Sequence, residues 1–294
     1  MKTNLKPHYL CIDLGGTKIQ GAILDTHGHC HTEKRIEQHG IKAPDEPQPL
    51  YDFIDDMLRN TDKCIAGLSL GVAGIVSGGL IADAPAFGWY NYPLQQRLQS
   101  RYQLPVVLEN DVNCAVLGES SLYPDASILC YLAIGTGIGL GTSIDGRLLR
   151  GAHGGAGEIG RSLSSVQELN VPHPAFGSME RAASGTAILR AIADNFEGDA
   201  PAAFAAYEKG NERARAALTP ILSHIAMLLI SIATIIDPDI IILGGGVAKS
   251  LGPFADELAA IARRKTRFDV DVRTSQLHER ATLLGCLKNI KSQS

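Results

Sequence analysis

The sequence lacks several features that would assign it to a familiar class of protein. Its six cysteines are scattered and none forms a C-x-x-C pair, so we expect neither a cysteine zinc motif nor a disulfide framework. The N-terminus has no apolar signal core, and the longest apolar stretch, residues 225–236, is too short to span a bilayer. The net charge is −4, which does not favour a surface for nucleic acid. We therefore expect a cytoplasmic globular protein that binds neither membranes nor nucleic acids.

Two common nucleotide-binding loops are missing as well. No G-x-x-x-x-G-K-[ST] segment precedes a helix, and no G-x-G-x-x-G stands in a strand–helix–strand unit, which argues against a Walker A protein and a dinucleotide dehydrogenase. The chain has 294 residues, 45% of them hydrophobic and 20% charged. These values are typical of a protein with one large or two medium globular domains.

A cluster of polar residues follows a predicted buried strand at residues 104–108. It consists of Glu109, Asn110 and Asp111, and an apolar helical pattern comes directly after it. Because open α/β sheets bind ligands at the carboxyl ends of their strands, these residues are candidates for a ligand site. An ordinary helix start with Asp111 as N-cap would explain the same residues. The other motifs decide between these interpretations.

Two glycine turns lie between predicted strands. The first, Asp13-Leu14-Gly15-Gly16-Thr17-Lys18, would let backbone N–H groups surround an anion, with Thr17 and Lys18 as further donors. A plain hairpin explains the two glycines but not their polar neighbours. The second turn covers residues 135–139. Residues 14–25 align with residues 134–145 at an offset of 120, which we interpret as a faint internal repeat.

Two more glycine-rich segments occur later in the chain. Residues 151–161 are typical of a loop whose backbone packs close to a ligand. Gly244-Gly245-Gly246 joins a predicted strand to a helix, an arrangement that suits the phosphate or sugar of a nucleotide. The predicted helices are residues 50–60, 94–102, 111–122, 182–196, 201–210, 212–236, 253–263 and 283–290.

Taken in order, these segments, together with Gly157-Glu158-Ile159-Gly160, resemble the ROK family of repressors, open reading frames and sugar kinases. The match extends over residues 9–290. It implies an α/β fold of the actin-like (ribonuclease-H-like) ATPase type, with two α/β domains around a central cleft. The expected N-terminal domain is residues 1–112, completed by residues 281–294. The expected C-terminal domain is residues 113–280.

The resemblance also implies roles for individual residues. Asp111 falls on the general base, and Asp13 falls near Mg²⁺. The expected ATP and magnesium residues are Asp13, Gly15, Gly16, Thr17, Lys18, Gly135, Thr136, Gly137, Gly244, Gly245 and Gly246. The expected sugar-binding residues are Gly74, Asn110, Asp111, Glu158, Arg161 and Glu180.

The sequence departs from the family pattern at its zinc site. Family kinases usually place a His after Glu-Ile-Gly and three Cys before the sugar-binding Glu. Here those positions hold Arg161, Val171, His173 and Ser178, so we expect no zinc. We expect residues 162–180, the sugar loop, to be held instead by Arg161 and by packing around Pro172, Pro174 and Phe176. Two further departures, Ala86 for Asn and Ala73-Gly74 for Pro-Gly, affect the expected identity of the sugar.

The expected activity is that of an ATP-dependent glucokinase, acting as a homodimer and converting glucose to glucose 6-phosphate. N-acetylmannosamine, N-acetylglucosamine, fructose and β-glucosides stay open as acceptors, and polyphosphate as a donor. A repressor of this family carries an N-terminal helix-turn-helix domain, for which a strand beginning at Tyr9 leaves no room. A non-catalytic sugar-binding regulator is disfavoured because Asp13, Asp111 and Glu158 are all present.

Overall fold

The computed structural model describes residues 6–42, 46–171 and 177–293. The chain forms two compact units. Unit 1 consists of Met1–Leu122, Arg150–Ala156 and Glu279–Ser294, and unit 2 of Tyr123–Leu149 and Gly157–His278. The boundary that we expected between residues 112 and 113 falls inside a helix that belongs to unit 1 as a whole.

The described residues contain the following strands and helices. The strands are β1 (His8–Leu14), β2 (Lys18–Asp25), β3 (Cys30–Glu37), β4 (Ile65–Val72), β5 (Ile75–Ser77), β6 (Leu80–Ala84), β7 (Trp89–Tyr92), β8 (Val106–Asn110), β9 (Ile128–Ile134), β10 (Ile138–Ile144), β11 (Arg147–Leu148), β12 (Ile240–Gly244) and β13 (Val272–Thr274). The helices are α1 (Gln48–Arg59), α2 (Leu94–Tyr102), α3 (Asp111–Glu119), α4 (Ser178–Ala183), α5 (Gly185–Asn195), α6 (Ala200–Glu208), α7 (Glu212–Ile236), α8 (Ala248–Leu251), α9 (Ala255–Thr266) and α10 (Ala281–Ser292).

The main sheet of unit 1 has the order β3-β2-β1-β4-β8. Strands β1, β2 and β3 are antiparallel neighbours, whereas β1, β4 and β8 run parallel. Successive side chains of a strand point to opposite faces, and both faces of β1 are buried. Leu10 and Ile12 join one hydrophobic cluster with α1 and α2, while Tyr9 and Cys11 join another with α3 and α10. A sheet covered on both sides explains the continuous apolar run in β1.

The sheet of unit 2 repeats this order as β11-β10-β9-β12-β13, again with an antiparallel hairpin beside parallel strands. The hairpin turn is one residue shorter than in unit 1, because Ile134 pairs with Ile138 whereas Leu14 pairs with Ile19. The sequence offset of 120 therefore applies to the first strand of each hairpin but not to the second. The aligned glycines at 21 and 141 are one residue out of structural register.

The longest helix of unit 2 is α7. By length and composition alone it could cross a membrane, and it is the one helix in the described ranges that could. Its buried side chains, among them Ile225, Leu228 and Leu229, belong to the hydrophobic core of unit 2 together with Leu132 and Ile134 of β9. The helix ends at Asp237, which has the left-handed conformation with φ 51° and precedes Pro238.

A second, three-stranded sheet in unit 1 has the order β5-β6-β7. The only tryptophan of the sequence lies here. Trp89 begins β7, is 1% exposed and stacks between Phe87 and Tyr92, with ring-centroid distances of 4.7 and 4.6 Å. The small sheet is thus anchored in the core of unit 1.

Candidate functional site

The parallel strands of unit 1 end at the same edge of its sheet. Leu14 of β1 is the register neighbour of Val72 in β4, which is the neighbour of Asn110 in β8. The first glycine turn, Gly74 and Asp111 follow these three strand ends directly. The outer two strands are two strand spacings apart, about 10 Å. This edge therefore carries the expected Mg²⁺, phosphate and sugar residues of unit 1.

Asp13 lies at the end of β1 and is buried, with 8% exposure. Its Oδ2 atom is 3.5 Å from Lys18 Nζ. Burial raises the pKa of the Asp13 carboxyl, and the neighbouring Lys18 only partly offsets this. A buried carboxylate with one cation nearby suits the binding of a metal ion, which would supply further positive charge.

The first glycine turn is held by a residue that the sequence motifs did not reveal. Gln38, directly after β3, is buried, and its Nε2 donates to Gly15 O at 3.1 Å and Gly16 O at 2.7 Å. Its backbone N–H donates to Thr17 O at 2.9 Å. With both carbonyls accepting from Gln38, the conformation of the turn is fixed. The only sequence signal was a polar residue at the end of a strand.

Ala86, one of the departures from the family pattern, lies against this turn. A β-carbon added to Gly16 would be 2.9 Å from the Ala86 β-carbon. Asparagine, the usual residue in the family, would need more space or another direction here. Position 86 thus lies beside the first glycine turn.

Gly74 and Asn110 are in direct contact, because Asn110 Nδ2 donates to Gly74 O at 3.1 Å. Gly74 has φ +156°, and a β-carbon there would be 2.7 Å from Asp83 O, so larger residues do not fit. Asn110, not Asp111, is the N-cap of α3, and its Oδ1 accepts from the N–H groups of Val112 and Asn113. Our alternative explanation of Asp111 as N-cap is therefore wrong.

Asp111 is the first residue of α3 and half-buried. Its Oδ1 accepts from the N–H of Val112 at 2.9 Å. The N-terminal end of a helix favours negative charge. The Asp111 side chain is thus held at the carboxyl edge of the sheet.

In unit 2 the second glycine turn meets the N-terminus of α5. Gly185 N–H donates to Gly135 O at 2.7 Å, and Thr186 Oγ1 donates to Thr136 O at 3.0 Å. A β-carbon on Gly185 would be 2.7 Å from Gly135 O. Gly185 is therefore a second site residue missed by motif analysis, although Ser184-Gly185 has the composition of a capped helix start.

The Gly244–Gly246 segment lies next to the second glycine turn. Gly245 has φ +82°, and Val247 N–H donates to Ile134 O at 3.1 Å. A β-carbon on Gly135 would be 3.9 Å from Gly246 N, and one on Gly246 would meet no atom within 4 Å. The two glycine segments thus border open space. Such a space could receive a nucleotide group.

Glu158, Arg161 and Glu180 form a charged group in unit 2. Arg161 Nε donates to Glu158 Oε2 at 3.1 Å. Glu180 Oε1 accepts from Ile138 N–H at 3.3 Å, and its Oε2 accepts from Gly177 N–H at 3.3 Å. Burial raises the pKa of Glu180, against the opposing effect of these two N–H groups. The Glu180 carboxylate is thus fixed against the second glycine turn.

Two positions of the family's zinc ligands, Arg161 and Ser178, make other contacts here. Ser178 Oγ accepts from Ser164 N–H at 3.0 Å and lies 2.7 Å from Ser164 Oγ. No group of three or more His, Cys, Asp or Glu suited to a metal ion occurs among the residues that the structure describes. His173 and the packing residues Pro172, Pro174 and Phe176 lie outside the described residues.

If the expected sugar kinase activity is present, Arg161→Ala should raise the sugar KM about twofold to fivefold and leave the ATP KM unchanged. The reason is that the substitution removes a largely exposed, charge-assisted hydrogen bond to Glu158, and such a pair contributes about 0.2–1 kcal/mol. Steady-state kinetics with either substrate varied would measure both constants. Arg190→Ala, a change on α5, serves as control. An unchanged sugar KM in Arg161→Ala would refute a role for this arginine in the sugar loop.

Comparison with known proteins supports the assignment of these motifs. The ROK family model matches residues 9–292. The xylose repressor of Caldicellulosiruptor bescii is 28% identical over 269 residues, which cover 83% of this chain and 67% of the repressor. The N-acetylmannosamine kinase of Salmonella typhi is 28% identical over 280 residues, which cover 94% of this chain and 96% of that kinase.

A solved structure is also similar over the full length. The Lmo2764 protein of Listeria monocytogenes, named as a candidate N-acetylmannosamine kinase, has a TM-score of 0.85 and 26% sequence identity. The alignment covers 98% of this chain and 100% of that protein. Together with the repeated sheet order, this similarity confirms the expected actin-like α/β fold class.

Proposed function

Since the chain belongs to the ROK family, we propose that it is a kinase that transfers a phosphoryl group from ATP to a sugar hydroxyl. The single observation that carries this proposal is the common sheet edge in unit 1. There the strand register puts Asp13 and the first glycine turn at the end of β1 beside the ends of β4 and β8, and Asp111 follows β8 directly. A metal-binding carboxylate, a phosphate-binding turn and a candidate base are the groups that phosphoryl transfer to a hydroxyl requires.

Asp111 is the proposed general base. Its carboxylate would accept the proton of the attacking hydroxyl, and Asn110 and Gly74 beside it would help to orient the sugar. When bound, Mg-ATP supplies the transferred phosphoryl group and the metal charge that stabilises it. By the roles that the family resemblance implies, Asp13 and the first turn are proposed for the metal and phosphates, and Gly135–Gly137 and Gly244–Gly246 for nucleotide groups. A β-carbon on Gly246 would meet no atom within 4 Å, so the protein leaves room beside this residue.

Glucose is the proposed acceptor, with glucose 6-phosphate as product. The half-buried side chains of Asn110 and Asp111 at the sheet edge of unit 1 carry amide and carboxylate groups of the kind that read sugar hydroxyls. N-acetylmannosamine is the second acceptor to test, because the Salmonella typhi relative acts on it. Ala86, which lies at the first turn, is a residue that could alter the choice of sugar.

The similarity to the xylose repressor favours a second candidate function, that of a sugar-binding regulator. A regulator would bind the sugar without consuming ATP. Asp13 and Asp111 have no evident use in such a protein, whereas both are needed by a kinase. The kinase is therefore the better-supported proposal.

The decisive test is a coupled assay of ADP release over a panel of hexoses, N-acetylhexosamines and β-glucosides. A kinase would release ADP in proportion to one or a few sugars, and mass spectrometry of the product would identify the hydroxyl. If calorimetry detects binding of a sugar but no sugar stimulates ADP release, the regulator is favoured.

We expect Gly246→Ala to raise the ATP KM about tenfold or more while the stability and the sugar KM stay unchanged. The added β-carbon meets no protein atom within 4 Å, so the folded chain tolerates it, but it would occupy space proposed for the nucleotide. Overpacking of this kind typically costs about 1–3 kcal/mol.

The matched control is Gly252→Ala in the same unit, where the new β-carbon would be 3.6 Å from Thr274 Cγ2, an ordinary contact. Steady-state kinetics and thermal unfolding of both variants decide the outcome. Equal ATP KM values in the two variants would contradict a nucleotide site at Gly246.

A further inference from the structure

The carboxylate of Glu109 is buried at the end of β8 and fully engaged. Oε1 accepts from Asn110 N–H at 2.9 Å and from Asn113 Nδ2 at 3.0 Å, and Oε2 accepts from Arg150 Nε at 2.6 Å. Its side chain is 5% exposed. Glu109 therefore holds both sides of Asp111, since it binds the residue before it and the first turn of the helix after it.

Arg150 brings the positive charge that this buried carboxylate needs. It begins Arg150–Ala156, a segment that belongs to unit 1 although the chain on either side belongs to unit 2. The segment is closed by a hydrogen bond from Ala156 N–H to Arg150 O at 3.1 Å. It also contacts unit 1 at Gly154, where a β-carbon would be 2.3 Å from Val76 O. The backbone at Arg150 is thus held in place, and the side chain extends from it to Glu109.

Burial of an ionised carboxylate without a cation is costly. Without Arg150, the Glu109 carboxylate would gain by turning toward solvent, and this movement would weaken its hydrogen bonds with Asn110 and Asn113. The N-cap of α3 and the direction of Asp111 depend on these two residues. Replacing the exposed Arg150 would thereby disturb the position of Asp111, the candidate base.

We propose that Arg150 and Glu109 are positioning residues, in which Arg150 neutralises the buried Glu109 and so fixes Asn110 and Asp111 for the reaction. This inference rests on the proposed kinase function for its kinetic consequences. It assigns no direct contact with the sugar or ATP to either side chain.

The test is a double-mutant cycle of Arg150→Met and Glu109→Gln. In the wild-type background, Arg150→Met should lower kcat/KM for the sugar about tenfold or more, with the ATP KM unchanged, because a buried charge loses its partner. In the Glu109→Gln background, Arg150→Met should lower kcat/KM for the sugar by less than about threefold. The glutamine Oε1 still accepts from Asn110 and Asn113 but carries no charge to neutralise.

Two further variants complete the design. Arg150→Lys keeps the charge and should recover part of the activity lost in Arg150→Met. Arg147→Met, an exposed arginine nearby in sequence, is the control and should behave as wild type. If Arg150→Met lowers kcat/KM by the same factor in both backgrounds, Arg150 acts independently of Glu109, for example on the substrate. That result would overturn the proposal.

Hydrogen exchange separates this inference from the proposed function. In Arg150→Met the amides of residues 106–119 should exchange faster, and Glu109→Gln should reverse the effect. Unchanged protection in Arg150→Met would overturn the positioning role, whether or not the protein turns over a sugar. Absence of turnover in the wild type would reject the kinase proposal alone, since the exchange cycle would still give its answer.

Discussion

Asp111→Asn is expected to lower kcat by about 10²–10⁴-fold, the usual effect of losing a general base. Asparagine has nearly the same shape, and its side-chain oxygen can still accept from Val112 N–H as Asp111 does now at 2.9 Å. The sugar Kd should therefore change less than about threefold. Stability should fall by no more than about 0.3–1 kcal/mol, the contribution of one charge at a helix N-terminus. Stopped assays of turnover and calorimetric titration with the sugar would measure these effects.

The control for Asp111→Asn is Asp145→Asn. Asp145 is exposed in a turn of unit 2 with φ +49°, a conformation that asparagine adopts readily. This variant should keep wild-type kinetics. An Asp111→Asn protein that retains more than about a tenth of the wild-type kcat would remove Asp111 from the role of base.

Asp13→Asn is expected to reduce kcat by about 10²-fold or more without lowering the melting temperature. The loss of activity follows from removal of a preorganised charge at the proposed metal and phosphate site. Burial raises the pKa of Asp13 in the folded state, so the folded protein binds this proton more tightly than the unfolded chain does. Above the ordinary carboxyl pKa the ionised group therefore opposes folding, and a neutral residue of the same shape removes that cost.

Thermal unfolding of Asp13→Asn at pH 7 and its kinetics at saturating ATP would check both parts. Lys18, whose side chain is 27% exposed, can turn to solvent when it loses Asp13. A large fall in the melting temperature would instead make the Asp13–Lys18 pair part of the hairpin's stability, and would weaken the assignment of Asp13 to the metal. Normal turnover would reject that assignment.

Two of the predicted helices were predictable to the residue. They are Leu94–Tyr102 and Glu212–Ile236. Each has apolar residues at helical spacing, and a proline stands beside one end of each, Pro93 before the first and Pro238 after the second. In such segments the burial of one face decides the local conformation.

Elements at the edges of sheets were not predictable in this way. Strand β3 is largely exposed and carries His, Thr, Glu, Lys and Arg, so that its sequence has no apolar period, as is common for edge strands. Strand β13 is only three residues long. The predicted helix at residues 182–196 is divided at Ser184, whose hydroxyl caps α5. The hydrogen bond from Gly185 to Gly135 that fixes this break connects residues far apart in sequence.

The candidate site shows the same division. Motifs identified the glycine turns and the Glu-Asn-Asp cluster, because each is a local pattern with a direct chemical meaning. Gln38, Gly185 and Arg150 act through partners far away in the chain, and nothing in their immediate neighbours reveals this. The sequence also offered Asp111 as the N-cap of α3, whereas the structure has Asn110 there. Both residue types are good caps, and only the backbone geometry distinguishes them.

Helices α3 and α10 approach each other closely in unit 1. A β-carbon on Gly285 would lie 1.7 Å from Cys114 O, and one on Gly118 would lie 2.1 Å from Ala281 O. The ribosome synthesises the whole of Tyr123–His278 between these two helices. The helix that begins with Asp111 therefore reaches its final packing only after unit 2 has emerged. Synthesis of unit 2 is therefore complete before synthesis of unit 1 is.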